Sequence, residues 1–263
     1  MRHVHVIGIG AGNPDHASVQ AVEAMRSTQV FFVLDKGEEK ADLLAVRKEL
    51  CDRHLAPGSY RWVDIPDPAR DRNPVDYDVE VRRWHGERAD RIGAALRVEL
   101  GDDGVGAFLV WGDPSLYDST LRILDDLHER GSLSFSHDVI PGVTSISALA
   151  AAHRIPLHAI GESMLITTGR RLLDDGGWPE SVANAIVMLD GDCSFRHLDP
   201  AGIEIWWGAY LGTSKEILAS GPLEEMSVEI ERARTAARAQ HGWIMDIYLL
   251  RRRGGTQPHP LST

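Results

Sequence analysis

Cysteine is nearly absent from this sequence: Cys51 and Cys193 are the two in 263 residues. That is too few for a disulfide framework, and a reducing cytoplasm is the expected compartment. Long apolar runs are absent as well. Stretches such as Ala185–Leu189 fall far short of the roughly 20 residues that span a bilayer. The N-terminus does not begin with the basic-then-apolar order of a secretory signal, so neither membrane insertion nor export is expected. Basic residues are outnumbered: 28 Lys and Arg against 39 Asp and Glu leave a formal charge of −11. This argues against a nucleic-acid partner, because phosphate binding needs clustered Lys and Arg. It does not exclude an anionic small molecule, which responds to the local field of a cleft. The rest is ordinary globular composition, 43% hydrophobic and 25% charged, on a chain long enough for one large domain or two small ones.

The first half alternates apolar β-type runs with helical spacing. Val4–Ile9, Val30–Leu34, Tyr60–Ile65, Ala107–Trp111 and Phe135–Ile140 read as strands. Val19–Met25, Ala41–Leu50, a long charged segment ending near Leu100, and Ser115–Arg130 read as helices. Asp67–Pro74 is a polar loop, in which Asn73 followed by Pro74 looks like a helix N-cap. Strands alternating with helices of this length predict a parallel sheet with right-handed crossovers. The second half is richer in strands: Ser163–Thr167, Ala185–Leu189, Ile203–Trp207, Lys215–Ala219 and Trp243–Leu250, with fewer helices between them. The fold class expected is therefore α/β, with an N-terminal parallel-sheet domain over residues 1–141 and a C-terminal mixed-sheet domain over 142–263. Gly254–Thr263 reads as a frayed tail.

Three segments each follow a predicted strand and open a predicted helix: Gly8-Ile9-Gly10-Ala11-Gly12-Asn13-Pro14, Gly112-Asp113-Pro114-Ser115, and Pro141-Gly142-Val143-Thr144-Ser145. In a parallel sheet such junctions share the carboxyl edge, where ligands of open α/β sheets bind. Glycine lets a ligand approach the backbone, and helix N-termini present free N–H groups. Asp113 before Pro114 also fits a plain N-cap, as does Thr144. The first loop resembles a dinucleotide fingerprint, with Asp35 as the ribose acid of an NAD-linked oxidoreductase. Its spacing is broken, however: the sixth position is Asn13, and the third glycine falls one residue early.

The order of these loops, with the apolar segment Ile186-Val187-Met188-Leu189 and the late segment Trp207-Gly208-Ala209-Tyr210, resembles the tetrapyrrole methylase family of S-adenosylmethionine-dependent methyltransferases. Three further features are similar to one branch of that family: Ile9–His16 with Phe32-Val33-Leu34-Asp35-Lys36-Gly37, Val187-Met188-Leu189-Asp190-Gly191, and the Asp67–Arg83 insertion. That branch methylates C1 of a precorrin and releases an acetyl group as acetate during aerobic cobalamin synthesis. The resemblance implies a two-domain fold, a homodimer, and cofactor and tetrapyrrole in the cleft between the domains. S-adenosyl-L-homocysteine would be the cofactor product. Sister acceptors on the same fold are another precorrin, uroporphyrinogen or a diphthamide precursor. A non-catalytic corrinoid carrier is a further alternative.

Carried over by position, the resemblance implies cofactor contacts at Gly10, Ala11, Gly112, Asp113, Leu116, Thr144, Ser145, Met188, Leu189, Gly208 and Ala209. Many relatives have proline where this chain has Ala11. Substrate contacts are implied at Asn13 and Pro14. Arg70 and Arg72 suit the carboxylates of a corrinoid. Arg82 and Arg83 read as a solvated helix face, with Trp84 as its anchor. Methyl transfer needs no protein nucleophile, only position and field. Deacetylation needs a hydroxide equivalent and an acid or base, for which Asp35, His85, Tyr117 and Asp118 are the candidates. No metal site is expected, since neither Cys51-x-x-His54 nor Cys193-x-x-x-His197 has typical ligand spacing.

Overall fold

The computed structural model describes residues 1–35, 41–69, 71 and 76–253. It divides into two compact units, Met1–Thr144 and Ser145–Thr263. The first is a five-stranded parallel sheet ordered β3-β2-β4-β1-β5. Its strands are β1 (His3–Gly8), β2 (Val30–Asp35), β3 (Arg61–Pro66), β4 (Val105–Val110) and β5 (Ser136–Ile140). Four helices connect them: α1 (Val19–Ser27), α2 (Ala41–His54), α3 (Tyr77–Leu100) and α4 (Thr120–Arg130).

Alternation along β1 divides the core. Val4 and Val6 pack with Ile92, Leu96, Leu124 and Leu127 of α3 and α4. Ile7 and Ile9 pack with Met25, Leu50 and Cys51 of α1 and α2. Both faces of the sheet are thus covered, as a parallel sheet requires. Neighbouring strands β1 and β4 are therefore followed by helices on opposite faces. Their carboxyl ends form the topological switch point, where a crevice opens in such sheets.

The helix predicted over Ser115–Arg130 starts later, at Thr120. Ser115–Ser119 form turns instead. Tyr117 adopts φ +51°, and the Asp118 carboxylate accepts from Thr120 N at 2.7 Å. A local side-chain-to-backbone turn wins here over helical propagation. The predicted Asn73–Pro74 cap and the 254–263 tail lie outside the described residues. Where α3 begins, the Asp76 carboxylate accepts from Val79 N at 3.0 Å.

The second unit is a mixed sheet ordered β6-β7-β10-β8-β9. It comprises β6 (Met164–Thr168), β7 (Asn184–Met188), β8 (Ile203–Ala209), β9 (Ile217–Pro222) and β10 (Asp246–Arg252), with helices α5 (Ser145–His153), α6 (Gly169–Asp174) and α7 (Leu223–His241). β6 and β7 are parallel, while β10 runs antiparallel to both β7 and β8. Trp207, Tyr248, Phe195 and Ile230 form its core. The 19-residue α7 was not read from the sequence. Its buried positions are Leu223, Ile230 and Ala237, one every seven residues, which leaves too thin an apolar stripe to stand out.

Candidate functional site

The glycine loops of the first unit meet closely through their backbone. Gly10 and Gly112 form an isolated bridge: Gly112 N–H donates to Gly10 O at 2.8 Å, and Gly10 N–H donates to Gly112 O at 3.2 Å. A Cβ on Gly8 would lie 2.5 Å from Gly142 N and 2.9 Å from Gly112 O, and one on Gly142 would lie 2.7 Å from Gly8 C. Any side chain there would overlap main chain that cannot move aside. Gly10 and Gly112 also have φ of +83° and +69°, a region L side chains rarely occupy. The carboxyl ends of β1, β4 and β5 are thereby drawn into one surface of close-packed backbone.

Asp113 is the side chain that ties this surface together. One carboxylate oxygen accepts from Gly142 N at 2.9 Å, and the other accepts from Ser115 N at 2.8 Å and from the Ser115 hydroxyl. The N-cap reading of Asp113 is corrected accordingly: it closes a turn and clamps the loop after β5. Burial would raise its pKa, but the hydrogen bonds from Ser115 and Gly142 outweigh burial and hold it below the ordinary carboxylate range.

Of the other residues singled out in this unit, Ala11 is buried and Leu116 half-buried, with its N–H donating to Asp113 O at 3.2 Å. Thr144 ends the unit and Ser145 opens α5. Asn13 accepts from Asp15 N at 2.9 Å, and Pro14 starts the short turn that this caps. Asp35 ends β2, opposite Pro66, and its side chain lies outside the described residues, as do Arg70 and Arg72. His85 is half-buried on α3, with its ring 5.1 Å from that of Trp84. Tyr117 is exposed, its hydroxyl pKa raised by partial burial. Asp118 accepts from Thr120 N in the turn that leads into α4. Arg83 is spent on Glu80, Glu87 and the Ala69 carbonyl, in keeping with a solvated helix face. Trp84 donates to Pro68 O at 3.0 Å.

The sequence reading missed Arg88. It is buried beneath this edge, bound through two nitrogens to Asp67, 3.1 Å from the Ser119 hydroxyl, and stacked 3.6 Å above the Trp84 ring. An isolated Arg in a charged helix carries no signal, although Asp67 and Trp84 around it were visible.

In the second unit the remaining candidates share an edge. Met188 ends β7 opposite Ile247, and Gly208 of β8 pairs with the same Ile247 from the other side. Thr168 of β6 lies across from Met188. A Cβ on Gly208 would meet Leu211 at 2.6 Å and Leu149 at 3.0 Å, and Ala209 is fully buried. Immediately beyond the strands, Leu189 and Tyr210 adopt φ of +52° and +50°. Bulky residues in this region are strained, and such strain gathers at ligand sites. Leu189 nevertheless leaves 64% of its surface exposed.

This edge is buttressed by charge. Asp190 accepts from Tyr248 Oη at 2.6 Å, Ser194 N at 2.7 Å and Asp192 N at 3.0 Å. Arg234 donates to Asp246 at 2.9 Å, to Gly191 O at 2.9 Å and to Asp190 O. Trp207 Nε1 donates to Asp246 at 2.8 Å. Burial pushes the Asp246 carboxyl up, with Arg234 and Trp207 opposing it, and pushes the Tyr248 hydroxyl well up. The cysteines are poor ligands or nucleophiles. Burial and then Asp52 raise the Cys51 thiol to about 12, and burial also raises that of Cys193.

Comparison with known proteins identifies the family. Residues 3–227 match the family described as Tetrapyrrole (Corrin/Porphyrin) Methylases. A protein of Sinorhizobium sp. named precorrin-6A synthase [deacetylating] is 48% identical over 252 residues, covering 96% of each chain. The crystal structure of a cobalamin synthesis related protein (CobF) from Corynebacterium diphtheriae superposes with a TM-score of 0.83 at 41% identity, covering 96% of this chain and 99% of that one. A uroporphyrin-III C-methyltransferase from Thermus thermophilus, complexed with S-adenosyl homocysteine, shares the fold at a TM-score of 0.53 and 18% identity, covering 94% of this chain and 96% of that one. The chain belongs to the tetrapyrrole methylases.

Proposed function

We propose that this protein is a precorrin-6A synthase: it transfers a methyl group from S-adenosylmethionine to C1 of precorrin-5 and releases the neighbouring acetyl group as acetate. The observation that carries the acceptor assignment is the 48% identity to the Sinorhizobium relative along nearly the whole of both chains. The meeting of the Gly8–Gly10, Gly112 and Gly142 loops at one sheet edge supports placing the cofactor there, since ligands of open α/β sheets bind outside the strand ends.

When bound, the cofactor supplies an activated methyl on a sulfonium. Residues of this chain supply position. Gly10 and Gly112 let the ligand approach the peptide groups, while Asp113 holds the loops after β4 and β5 in register. Met188, Leu189, Gly208 and Ala209 are proposed to contact the cofactor, as are Ala11, Leu116, Thr144 and Ser145. With both oxygens of Asp113 engaged in loop contacts, its role is to position the backbone and lend a negative field, rather than to form a first contact with a cation. For substrate, Asn13, Pro14, Arg70 and Arg72 are proposed. For the deacetylation the candidates are Asp35, His85, Tyr117 and Asp118; Tyr117 is exposed, while Asp118 already accepts from Thr120 N.

Calorimetry with S-adenosylhomocysteine, with NADH as the control, tests the cofactor: binding of the first and not the second is expected, and the reverse would overturn the methylase reading. Incubating precorrin-5 with methyl-labelled cofactor and assaying free acetate tests the reaction. Label incorporation without acetate would leave a methylase of another precorrin. The same reading makes the protein a cytoplasmic homodimer, and light scattering should give twice 29.0 kDa.

A further inference from the structure

A cluster of unused ligands stands at the opposite end of the parallel sheet from the glycine loops. His3 and His5 project from one face of β1, and β5 pairs His3 with Ser136 and His5 with Asp138. His5 Nδ1 lies 2.6 Å from Asp138 Oδ1, and His3 Nε2 lies 3.5 Å from the same oxygen. One ligand atom from each of the three residues falls within 4.8 Å of the others.

The hydrogen bonds around the cluster hold the rings in place. Ser27 Oγ lies 3.1 Å from His5 Nε2 and donates to Ala24 O at 2.8 Å. Ser136 Oγ lies 2.8 Å from His3 Nδ1. His5 Nδ1 and His3 Nε2 thus face the same carboxylate oxygen of Asp138. A hydrogen bond joins His5 to Asp138 at 2.6 Å. A divalent cation at this point would displace the shared proton and engage His3 as a third ligand.

We propose that His3, His5 and Asp138 bind a divalent transition-metal ion of the zinc class, with solvent completing a tetrahedron. The donor set, two imidazoles and a carboxylate, is one zinc accepts. Zn–N and Zn–O bonds of about 2.0–2.1 Å place tetrahedral ligands about 3.4 Å apart, close to the His3–Asp138 separation. His5 and Asp138 must open modestly. The two serines hold the rings from behind, as outer-shell partners do in metal sites. Asp138 is half-exposed and gives the ion its entry path. Gly8 is five residues further along β1, about 16 Å away, so the ion would clip edge strand β5 to β1 without entering the methyl-transfer chemistry.

The test uses the full-length, tag-free protein stripped with a chelator and titrated with Zn²⁺ by calorimetry. One equivalent should bind at micromolar affinity. His5→Ala or Asp138→Asn should weaken binding at least about tenfold, and Ser27→Ala about tenfold with every ligand retained. Replacing His128 and His137 by Ala should leave it unchanged. Zinc-edge absorption spectroscopy of the loaded wild type should show two imidazoles, a readout that needs no variant to fold. No stoichiometric binding, or binding that His5→Ala and Asp138→Asn leave intact, would overturn the proposal and return the cluster to protons.

Discussion

The two candidate edges are built from different materials. In the first unit, contact is made largely by main chain: a side chain on Gly8 or Gly142 would strike neighbouring backbone, and the Asp113 carboxylate ties the loops together. In the second, the residues beside Met188 and Gly208 are held from behind by buried ionised and aromatic groups: Asp190, Tyr248, Arg234, Asp246 and Trp207. Backbone contact sets shape within narrow limits and tolerates no substitution. A buried polar network holds strained residues such as Leu189 and Tyr210 in place, but it depends on every partner being satisfied.

The sharpest way to break this comparison is Arg234→Met. It strands the buried Asp246 carboxylate and should cost about 3–5 kcal/mol, read as a fall in the urea midpoint. Adding Asp246→Leu should restore much of the loss, since an apolar pair replaces the ions. Gly142→Ala comes next, at about 1–3 kcal/mol from overpacking. Its more telling result is a drop in S-adenosylhomocysteine affinity of more than tenfold, measured by calorimetry. Gly191→Ala is the contrast: with no atom near its Cβ position, it should change neither quantity. Tyr248→Phe removes one of several donors to Asp190 and should cost about 1 kcal/mol in the same unfolding assay.

A smaller effect separates the units by pH. The folded pKa of Asp113 lies below its unfolded value near 3.8. Its stabilisation is therefore complete above that value and is lost as pH falls through the folded pKa. Asp246 has the opposite sign, because its folded pKa is raised: stability it contributes in acid is lost as pH rises through that folded value. Thermal unfolding of Asp113→Asn across the acid range should show a shallower acid loss than wild type. Arg83→Ala, on the exposed face of α3, should leave the unfolding midpoint where it is.

Much of the first unit was legible because buried parallel strands write themselves as short apolar runs, and glycine between strand and helix has few other uses. The three loops could be found for that reason, and their order carried the family. The second unit was harder. Its strands could be read, but α7 shows a buried residue only every seventh position, and Arg234 on that helix resembles any exposed arginine. The start of α4 differs from the expected one because the Asp118 carboxylate accepts from Thr120 N in a turn, a choice between two local hydrogen-bonding patterns that spacing does not reveal. The histidine cluster was invisible to motif scanning for a plainer reason: His5 and Asp138 are 133 residues apart, and only strand pairing brings them together.

The strand order has a consequence for how the chain is made. β1 is synthesised first, yet its hydrogen-bonding neighbours are β4 and β5, and His3 aligns with Val105. At about 5–20 residues per second, roughly 5–20 s of translation separate the strand from its first partner. During that interval Val4–Ile9 is an unpaired apolar edge, while β2 and β3 can already find each other. β1 is thus seated only after β4 has been made, and slow folding of this unit is the expected consequence of pairing strands about 100 residues apart.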